Sequence, residues 1–320
     1  MSATVLVTGG AGFIGSHVAG ALLRRGDRVR VLDNLDPFYD VALKRRNLEQ
    51  LRAQRGAFEF QLGDLRDAGA CARACAGADQ VVHLAALAGV RPSIADPVRY
   101  MDVNVSGTQR LLQHVGPGVP FVFGSSSSVY GGNRKVPFAE TDPVDHPVSP
   151  YAASKKAGEV LCHVCHHLRG NPVTCLRFFT VYGPGQRPEM AIHLFARKIM
   201  AGEPLPFFGD GSTRRDYTYV DDIVAGVLAA LDRAQGYRIY NLGGAATTTL
   251  QELVRLLEAA LGKRAVLERR PEQPGDVQQT FADVSLAERE LGYQSRVGVR
   301  EGIGRFAAWY QQARGEGWLR

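Results

Sequence analysis

The sequence lacks the long apolar runs and the targeting segment that membrane and secreted proteins carry. No apolar stretch in its 320 residues approaches the length needed to cross a bilayer. After Met1 the chain passes into a strand-like segment, without the basic segment, apolar stretch and cleavage site of a secretory signal. We therefore expect a cytoplasmic protein with no membrane partner.

Cysteine is scarce as well. The chain has five cysteines, an odd number that fits reduced intracellular thiols better than a disulfide framework. The segment from Cys162 to His167 contains a haem-attachment pattern and resembles half a zinc site. It falls inside a predicted helix, however, and lacks a second cysteine pair. We predict no metal or haem site.

Positive charge is present but not concentrated. The net charge is +6, and the arginines are scattered instead of forming a stripe with interleaved aromatic residues. Nucleic acid is therefore not expected as a partner. A surplus of positive charge would also help to collect an anionic small-molecule substrate.

A glycine-rich loop near the N-terminus is the most informative feature. Three apolar residues beginning at Val5 predict a short buried strand, and an amphipathic run begins at Phe13. Between them, Gly9, Gly12 and Gly15 are spaced three residues apart. Glycine at these positions permits a tight turn and the close approach of a pyrophosphate to a helix N-terminus. The pattern predicts a dinucleotide-binding loop.

A carboxylate follows at the expected distance. The second apolar strand ends in Asp33, about 20 residues beyond the glycines, where an acid should meet the adenosine ribose hydroxyls. An acid at this position disfavours the additional phosphate of NADP. Asp33 could instead cap a turn before Asn34, since both residue types suit turns.

Strand-like and helix-like segments alternate from residue 25 to residue 180, among them strands near Phe58–Leu62 and at Val173–Phe178 and a helix around Tyr100–Val115. The alternation predicts a doubly wound parallel α/β sheet of the Rossmann type. Ligands of such sheets bind at the carboxyl ends of the strands. Gly9, Asp33, Asp64, Ala85–Ala86, Ser125–Ser128 and Phe179–Thr180 should therefore converge on one crevice.

Beyond residue 180 the alternation loosens and glycine and proline cluster. We expect a dinucleotide-binding domain over residues 1–178 and a smaller substrate-binding domain over residues 179–320. Within the second, residues 217–242 read as a helix and a strand that return to the main sheet.

Tyr151 and Lys155 are the candidate catalytic pair. They lie four residues apart at the start of a predicted helix, which puts both side chains on one face. A phenol can act as a base near neutral pH only if a nearby cation favours the phenolate, and Lys155 could be that cation. The run Ser125–Ser128 after the fifth strand offers a hydroxyl beside the tyrosine.

The glycine loop, Asp33, Ser126, Tyr151 and Lys155 together resemble the extended short-chain dehydrogenase/reductase family, over almost the whole chain. Within it, the chain is most similar to nucleotide-sugar 4-epimerases that act on UDP-glucuronate. The segments that carry this narrower similarity are Asp40–Lys44, Leu84–Arg91 and Leu176–Pro184. Ser126 matches the family's catalytic Ser or Thr by its position before Val129, although Ser125 and Ser127 remain possible.

The resemblance implies two sets of binding residues. For an NAD cofactor they are Gly9, Gly12, Phe13, Ile14, Gly15, Asp33, Asn34, Asp64, Leu65, Leu84, Ala85, Ala86, Asn104, Tyr151, Lys155 and Phe178. For a UDP-sugar they are Arg91, Ser127, Ser128, Thr180, Arg187, Phe208, Arg215 and Asp276. Phe208 would lie against the uracil, Arg215 would contact the diphosphate and Asp276 the uridine ribose. A core aromatic residue, a solvated arginine and a turn aspartate are the alternatives for these three.

The implied activity is NAD-dependent 4-epimerisation of a UDP-sugar, chiefly UDP-glucuronate to UDP-galacturonate, by a homodimer. UDP-glucose or a UDP-N-acetylhexosamine could be the substrate instead. A UDP-glucuronate decarboxylase or a 4,6-dehydratase would begin with the same oxidation. Such relatives typically carry an acid just before the segment that corresponds to Val129–Gly131, where this chain has Ser127 and Ser128. An inactive NAD-sensing or RNA-associated relative is opposed by the intact Ser126, Tyr151 and Lys155.

Overall fold

A sheet of seven parallel strands forms the centre of the protein, in a computed structural model that describes residues 2–271 and 277–319. The strands of the chain are β1 (Thr4–Thr8), β2 (Arg28–Asp33), β3 (Phe58–Leu62), β4 (Gln80–His83), β5 (Phe121–Ser126), β6 (Val173–Phe178), β7 (Thr180–Tyr182), β8 (Pro204–Phe208), β9 (Arg214–Arg215), β10 (Tyr217–Tyr219), β11 (Tyr237–Leu242), β12 (Thr248–Thr249) and β13 (Val266–Arg270).

Helices follow most of these strands. They are α1 (Phe13–Arg25), α2 (Val41–Arg52), α3 (Ala68–Cys75), α4 (Val90–Ala95), α5 (Pro97–Met101), α6 (Gly107–His114), α7 (Pro150–Arg169), α8 (Ala191–Ala201), α9 (Val220–Asp232), α10 (Leu250–Leu261), α11 (Ser285–Leu291) and α12 (Val299–Gly315). In the part of the chain that the structure describes, none is long and apolar enough to cross a bilayer.

The central sheet has the strand order β11-β6-β5-β4-β1-β2-β3, with every neighbouring pair parallel. The direction of the strand order reverses at β1 and β4, which leaves a crevice outside their carboxyl ends. Inner strands of the sheet are buried on both faces: Val5, Leu6 and Val7 of β1 form a fully buried apolar run. The predicted doubly wound α/β fold is confirmed.

Helix α7 presents the candidate catalytic pair to this crevice. The Ser149 hydroxyl accepts a hydrogen bond from the Ala152 amide at 3.1 Å, and Pro150 occupies the first turn. Gly158 packs against the Phe123 ring so closely that a Cβ atom would overlap it. These contacts fix where α7 begins and how near it lies to β5.

The helix predicted over Tyr100–Val115 is interrupted. A wide turn with π-helical hydrogen bonding, Asp102–Ser106, separates α5 from α6. The turn directs the Asn104 side chain to Leu87, whose amide and carbonyl both bond to it, at 2.8 and 2.9 Å. This contact is between residues far apart in sequence, which is why helix periodicity did not reveal the turn.

Beyond residue 178 the strands are short and form pairs: β7 with β10, β9 with β12, and β8 with β13. Helix α9 packs on α1, and β11 pairs with β6 along its full length. The segment 217–242 therefore contributes a strand to the central sheet. The division into domains at residue 178 stays a prediction.

Candidate active site

The glycine loop closes tightly over the end of β1. Gly9 has a φ of 71°, and a Cβ atom on it would lie 2.7 Å from the Ala85 nitrogen. Gly15 leaves no room for a Cβ beside the Gly9 carbonyl. Gly12 precedes α1 without a side-chain cap. Backbone and a helix N-terminus, with no side chains in between, are thus available to an anion.

A cavity of about 390 Å³ opens at the carboxyl ends of the central strands. Most of the residues predicted from the sequence line it. They are Gly9, Gly12, Phe13, Ile14, Gly15, Asp33, Asn34, Asp64, Leu65, Leu84, Ala85, Ala86, Ser126, Ser127, Ser128, Tyr151, Lys155, Phe178, Thr180 and Arg187.

Asp33 makes the turn contacts that the sequence offered as one alternative, and its contact with the adenosine ribose stays a prediction. One carboxylate oxygen accepts from the Ala11 amide at 3.1 Å and the other from the Leu35 amide at 2.8 Å, so the side chain organises the loop. It also borders the cavity. Burial raises the pKa of Asp33, while the positive charge of Lys44 and these hydrogen bonds act in the opposite direction.

Asp64 is held in its charged form at the end of β3. Arg66 donates to both of its oxygens, at 2.9 and 2.8 Å, and the Asn34 amide donates at 2.7 Å. The hydrogen bonds from Arg66 are the largest cause of a pKa well below the usual range. Asn34 and Asp64 thus form one polar corner of the cavity.

Tyr151 and Ser126 both line the bottom of the cavity, where the Ser126 side chain is close enough to affect the pKa of the phenol. Burial raises the pKa of Tyr151, and the Ser126 side chain and the charge of Arg187 lower it. The sequence argument assigned the lowering to Lys155. In the structure Ser126 and Arg187 lower the pKa of Tyr151. The Lys155 ammonium instead donates to the Gly124 carbonyl at 2.7 Å.

Lys155 is 5% exposed, and its ammonium lies 5.1 Å from the centroid of the Phe123 ring. Burial lowers its pKa to about 8. A lysine with this pKa is still mostly protonated at neutral pH, but it gives up its proton more readily than an unperturbed lysine.

The four consecutive serines point in different directions. Ser125 is 2% exposed, and its hydroxyl donates to Glu159 at 2.7 Å. Glu159 is in turn bound by both branches of the buried Arg177, at 2.9 Å each. The Ser126 hydroxyl faces Tyr151 and lies 3.1 Å from that of Ser128. The geometry favours Ser126 over Ser125 as the hydroxyl beside the tyrosine.

Arg187 and Thr180 line the part of the cavity that is formed by the chain after β6. The Arg187 guanidinium pairs with Glu189 at 3.1 Å and lies 5.7 Å from the centre of the Phe38 ring. Its side chain is 19% exposed. Thr180 is held through its amide, which donates to the Asp216 carbonyl at 3.1 Å.

The structure places four of the predicted residues outside the cavity wall. Asn104 is 3% exposed, and its amide bonds to Leu87 and Ser154, so it supports the wall from behind. The Arg91 guanidinium lies 5.9 Å from the ring centre of Phe208. The Arg215 guanidinium donates to the Arg214 carbonyl at 2.9 Å. Asp276 lies outside the described residues.

Sequence reasoning missed Lys44 and Tyr39. Both line the cavity, and the Lys44 ammonium donates to the Asp36 carbonyl at 2.9 Å and lies 4.9 Å from the Tyr39 ring centre. A signal was available: Lys44 shares the buried face of α2 with Leu48 and Leu51. A lysine on an apolar face needs a partner, which here includes the charge of Asp33.

Residues 5–243 match the NAD dependent epimerase/dehydratase family. UDP-glucuronate 4-epimerase 4 of Arabidopsis thaliana is 43% identical over 96% of this chain and 75% of its own length. Among solved structures, UDP-glucuronic acid 4-epimerase from Bacillus cereus, in complex with UDP-glucuronic acid and NAD, is 35% identical. It superimposes with a TM-score of 0.89 over 97% of this chain and 99% of its own.

The fold alone does not distinguish reactions within this group. The dTDP-glucose 4,6-dehydratase DesIV from Streptomyces venezuelae, with NAD bound, is 36% identical and superimposes with a TM-score of 0.90. The match covers 98% of each chain. Particular side chains in the cavity must therefore decide which product is made.

Proposed function

Because the chain belongs to the NAD dependent epimerase/dehydratase family, an extended short-chain dehydrogenase/reductase family as its sequence indicated, we propose that it is a 4-epimerase of UDP-glucuronate. The product is UDP-galacturonate. The observation that carries the proposal is that Tyr151 and Ser126 line the bottom of a cavity that the glycine loop also lines.

The residues present fit NAD. The absent side chains at Gly9, Gly12 and Gly15 leave backbone facing the cavity, and Asp33 offers a carboxylate to the adenosine ribose hydroxyls. Asn34, Asp64 and Leu65 continue this side of the site. When bound, NAD supplies the group that accepts a hydride from C4 of the sugar and returns it.

Tyr151 takes the proton of the C4 hydroxyl and later gives it back, while Ser126 hydrogen-bonds the same oxygen. Arg187 keeps positive charge near the phenolate as it forms, and Lys155, one turn further along α7, would hold the nicotinamide ribose. Tyr151 is partly buried where it lines the cavity. Since the tyrosine starts with a raised pKa, these neighbours must stabilise its anion during turnover.

Oxidation at C4 of glucuronate creates a β-keto acid, which loses carbon dioxide when its carboxyl bond aligns with the carbonyl π system. An epimerase must prevent that alignment while the ring turns over. Ser127, Ser128 and Thr180 offer hydroxyls, and Arg187 offers charge, along one side of the cavity. They would hold the carboxylate near the plane of the C4 carbonyl and replace its lost hydration.

The alternatives are a decarboxylase, a 4,6-dehydratase and an epimerase of neutral UDP-sugars. The first two are opposed by Ser127 and Ser128, which occupy the positions before Val129 where such relatives typically carry an acid. UDP-glucuronate is favoured over the neutral sugars because its carboxylate can replace that of Glu189 as the partner of Arg187, which a neutral sugar cannot do.

A single stopped assay tests these possibilities. The purified protein is incubated with UDP-glucuronate and NAD, and the mixture is analysed for UDP-galacturonate, UDP-xylose and net NADH. We expect UDP-galacturonate without accumulation of NADH. UDP-xylose as the main product would identify a decarboxylase, and turnover of UDP-glucose or a UDP-N-acetylhexosamine alone would shift the substrate to a neutral sugar.

We also propose that the protein is a homodimer, paired through α7 and the segment Pro97–His114. The support is an exposed apolar face on these helices: Val98 is 77% exposed, Leu168 72%, Val160 50% and Val164 44%. Light scattering after size exclusion tests this: Val164→Asp should give monomers, whereas Val266→Asp, on exposed β13, should not. A monomeric wild type would reject the proposal. The cytoplasmic location stays a prediction from the sequence.

A further inference from the structure

A second cavity, of about 240 Å³, lies next to the active site. Tyr39 lines both cavities, and its hydroxyl lies 3.9 Å from the place where a Cβ of Gly12 would be. The wall is built by α1, α2, the Pro184–Gly185 turn and the C-terminal region. None of the residues given catalytic or substrate roles above belongs to it.

The wall carries positive charge and aromatic surface. Arg24 and Arg46 line it together with both indoles, Trp309 and Trp318. Over the described ranges 2–271 and 277–319, Arg24 forms no ion pair, whereas the carboxylate of Glu316 contacts the wall through Arg46 and the Trp318 indole nitrogen. Arginine offers a planar fork of donors to phosphate, and an indole face stacks on rings.

Two polar atoms of the wall are buried without a hydrogen-bond partner in the described part of the chain. They are Nε of Arg46 and Oε1 of Gln54. The Arg46 guanidinium stacks 4.0 Å from the Trp318 ring centre, and another of its nitrogens pairs with Glu316 at 2.6 Å. A buried donor and a buried acceptor at one cavity require partners, which a ligand with hydroxyl and anionic oxygens can supply.

The same wall holds both loops of the active site. The Asn47 side-chain amide donates to the Ala11 carbonyl of the glycine loop at 2.9 Å. The His17 ring bonds through Nε2 to the Pro184 carbonyl, also at 2.9 Å, three residues before Arg187. Any ligand that moves α1 against α2 would therefore act on the loop expected to hold the cofactor and on the loop that carries Arg187.

We propose that this second cavity binds a small phosphorylated ring compound, a sugar phosphate or a nucleoside monophosphate, and that its occupancy changes the affinity of the active site for the UDP-sugar. The cavity is below the size of about 300–1,000 Å³ that is usual for drug-sized ligands, so it suits one ring with a phosphate. The phosphate meets Arg24 and Arg46, and the ring lies against the indoles. Binding at this cavity does not depend on the proposed function.

Tryptophan fluorescence reports directly on this cavity, because the sequence has two tryptophans and both line it. The full-length protein is titrated with glucose 1-phosphate, with UMP, with inorganic phosphate and with glucose. We expect a saturable change with glucose 1-phosphate or UMP, and the tighter of the two identifies the source. No saturable change with either would overturn the proposal, as would equal affinity for inorganic phosphate.

Arg24→Gln should raise the midpoint of the titration about tenfold or more, as expected for a lost hydrogen bond to a charged group. Arg28→Gln is the matched control, because Arg28 is also an exposed arginine but lines neither cavity. Equal midpoints in the two variants would assign the fluorescence change to binding at the active site and reject the second site.

Coupling is measured separately through initial rates with UDP-glucuronate. Glucose 1-phosphate or UMP, whichever binds more tightly, should change KM about fivefold or more in the wild type and in Arg28→Gln, and much less in Arg24→Gln. An unchanged KM in the wild type would overturn the coupling. If the protein did not turn over UDP-glucuronate at all, the proposed function would fail while the fluorescence titration still decided whether the cavity binds.

Discussion

The two sides of the active-site cavity are built in different ways. Its floor, which we define as Gly9, Asp33, Asp64, Ser126, Tyr151 and Lys155, is formed by the ends of the central strands and the first turn of α7. Its rim, defined as Thr180 and Arg187, follows β6. Floor side chains bond to backbone, as Lys155 does to Gly124, whereas Arg187 pairs with an exposed neighbour, Glu189.

This difference separates chemistry from selectivity. A floor position whose side chain is fixed by hydrogen bonds to the main chain cannot rearrange to compensate for a substitution. Substitutions on the floor should therefore lower the activity on every substrate alike. An arginine held by a partly exposed ion pair can exchange that partner for a substrate carboxylate at little cost. Changes on the rim should therefore distinguish acidic from neutral sugars.

Tyr151→Phe should give the largest effect. It removes the hydroxyl that exchanges the proton, so turnover should fall by at least about 10²-fold on every UDP-sugar, as expected for lost acid-base catalysis. NAD affinity, measured by equilibrium binding, should hardly change. The control is Tyr100→Phe, because the Tyr100 ring lies 6.4 Å from that of Tyr151 but its hydroxyl donates to Ala88. Activity within a few-fold of wild type in Tyr151→Phe would exclude it as the base.

Lys155→Met should lower turnover by about 10²-fold or less, and its stability should have a characteristic pH dependence. Burial lowers the folded-state pKa of Lys155 to about 8, below the 10.5 of an unperturbed lysine. Below pH 8 the folded protein holds a buried ammonium, which costs up to about 3 kcal/mol. Between pH 8 and 10.5 the folded state binds fewer protons than the unfolded state, so wild-type stability contains a contribution that rises with pH.

The stability of Lys155→Met relative to wild type should therefore be highest near pH 7 and should decline as the pH rises through 8 to 10. The substitution also removes the hydrogen-bond donor to the Gly124 carbonyl, which costs about 1–3 kcal/mol. This cost lowers the stability of Lys155→Met relative to wild type equally at every pH and does not change the pH dependence. Thermal unfolding from pH 6 to 10 measures it. Lys156→Met is the control, since Lys156 lies on the same helix in a half-buried ion pair with Glu159. A difference independent of pH would show that Lys155 is not a buried cation.

The floor could be predicted from the sequence and the rest of the site only in part. Strands β3 and β6 have the limits predicted from the sequence, Phe58–Leu62 and Val173–Phe178. Strand β6 is a buried inner strand, whereas β3 is an edge strand whose apolar and polar residues alternate. Once the strand order is known, their carboxyl ends must meet. This topology accounts for the convergence of Asp33, Asp64 and Ser126.

Phe208 and Arg215 lie away from the cavity wall for the opposite reason. Phe208 ends β8, which pairs with β13 and buries its neighbour Phe207. Arg215 is on β9, a two-residue strand whose position depends on pairing with β12. The turn at Asn104 similarly depends on its bonds to Leu87 and Ser154. Contacts between distant segments leave no local pattern in a single sequence, so motif resemblance alone suggested these residues.

Asp33→Asn tests the floor at its cofactor end and should have a smaller effect. One of the two oxygens that accept from Ala11 and Leu35 becomes an amide donor, and the charge is lost. NAD should bind about tenfold more weakly, and the ratio of the affinities for NAD and NADP should decrease. Equilibrium binding of both cofactors measures this. Asp40→Asn, which keeps a capping side chain on α2 outside the cavity, is the control. An unchanged preference would leave Asp33 as a turn cap only.

The smallest and most selective effects are expected at the rim. Thr180→Val removes one hydroxyl, worth about 0.5–1.5 kcal/mol, so kcat/KM for UDP-glucuronate should fall about 2- to 10-fold. Arg187→Ala removes a charged donor and should cost about tenfold or more on the same substrate. Neutral UDP-glucose has no carboxylate to lose, so its kcat/KM should fall less in both variants.

Arg187 needs one more measurement, because its charge also lowers the pKa of Tyr151. In Arg187→Ala the pKa of Tyr151 should rise, so the dependence of the rate on pH should shift to higher pH with both sugars. Thr180→Val should show no such shift, so rates from pH 6 to 10 separate the electrostatic effect from the loss of carboxylate binding. Arg197→Ala, an exposed arginine on α8, is the charge control.

The rim variants should also form UDP-xylose from UDP-glucuronate, because a poorly held carboxylate is lost from the 4-keto intermediate. Equal losses on acidic and neutral sugars at every pH, without UDP-xylose, would assign the rim to scaffolding and remove its distinction from the floor.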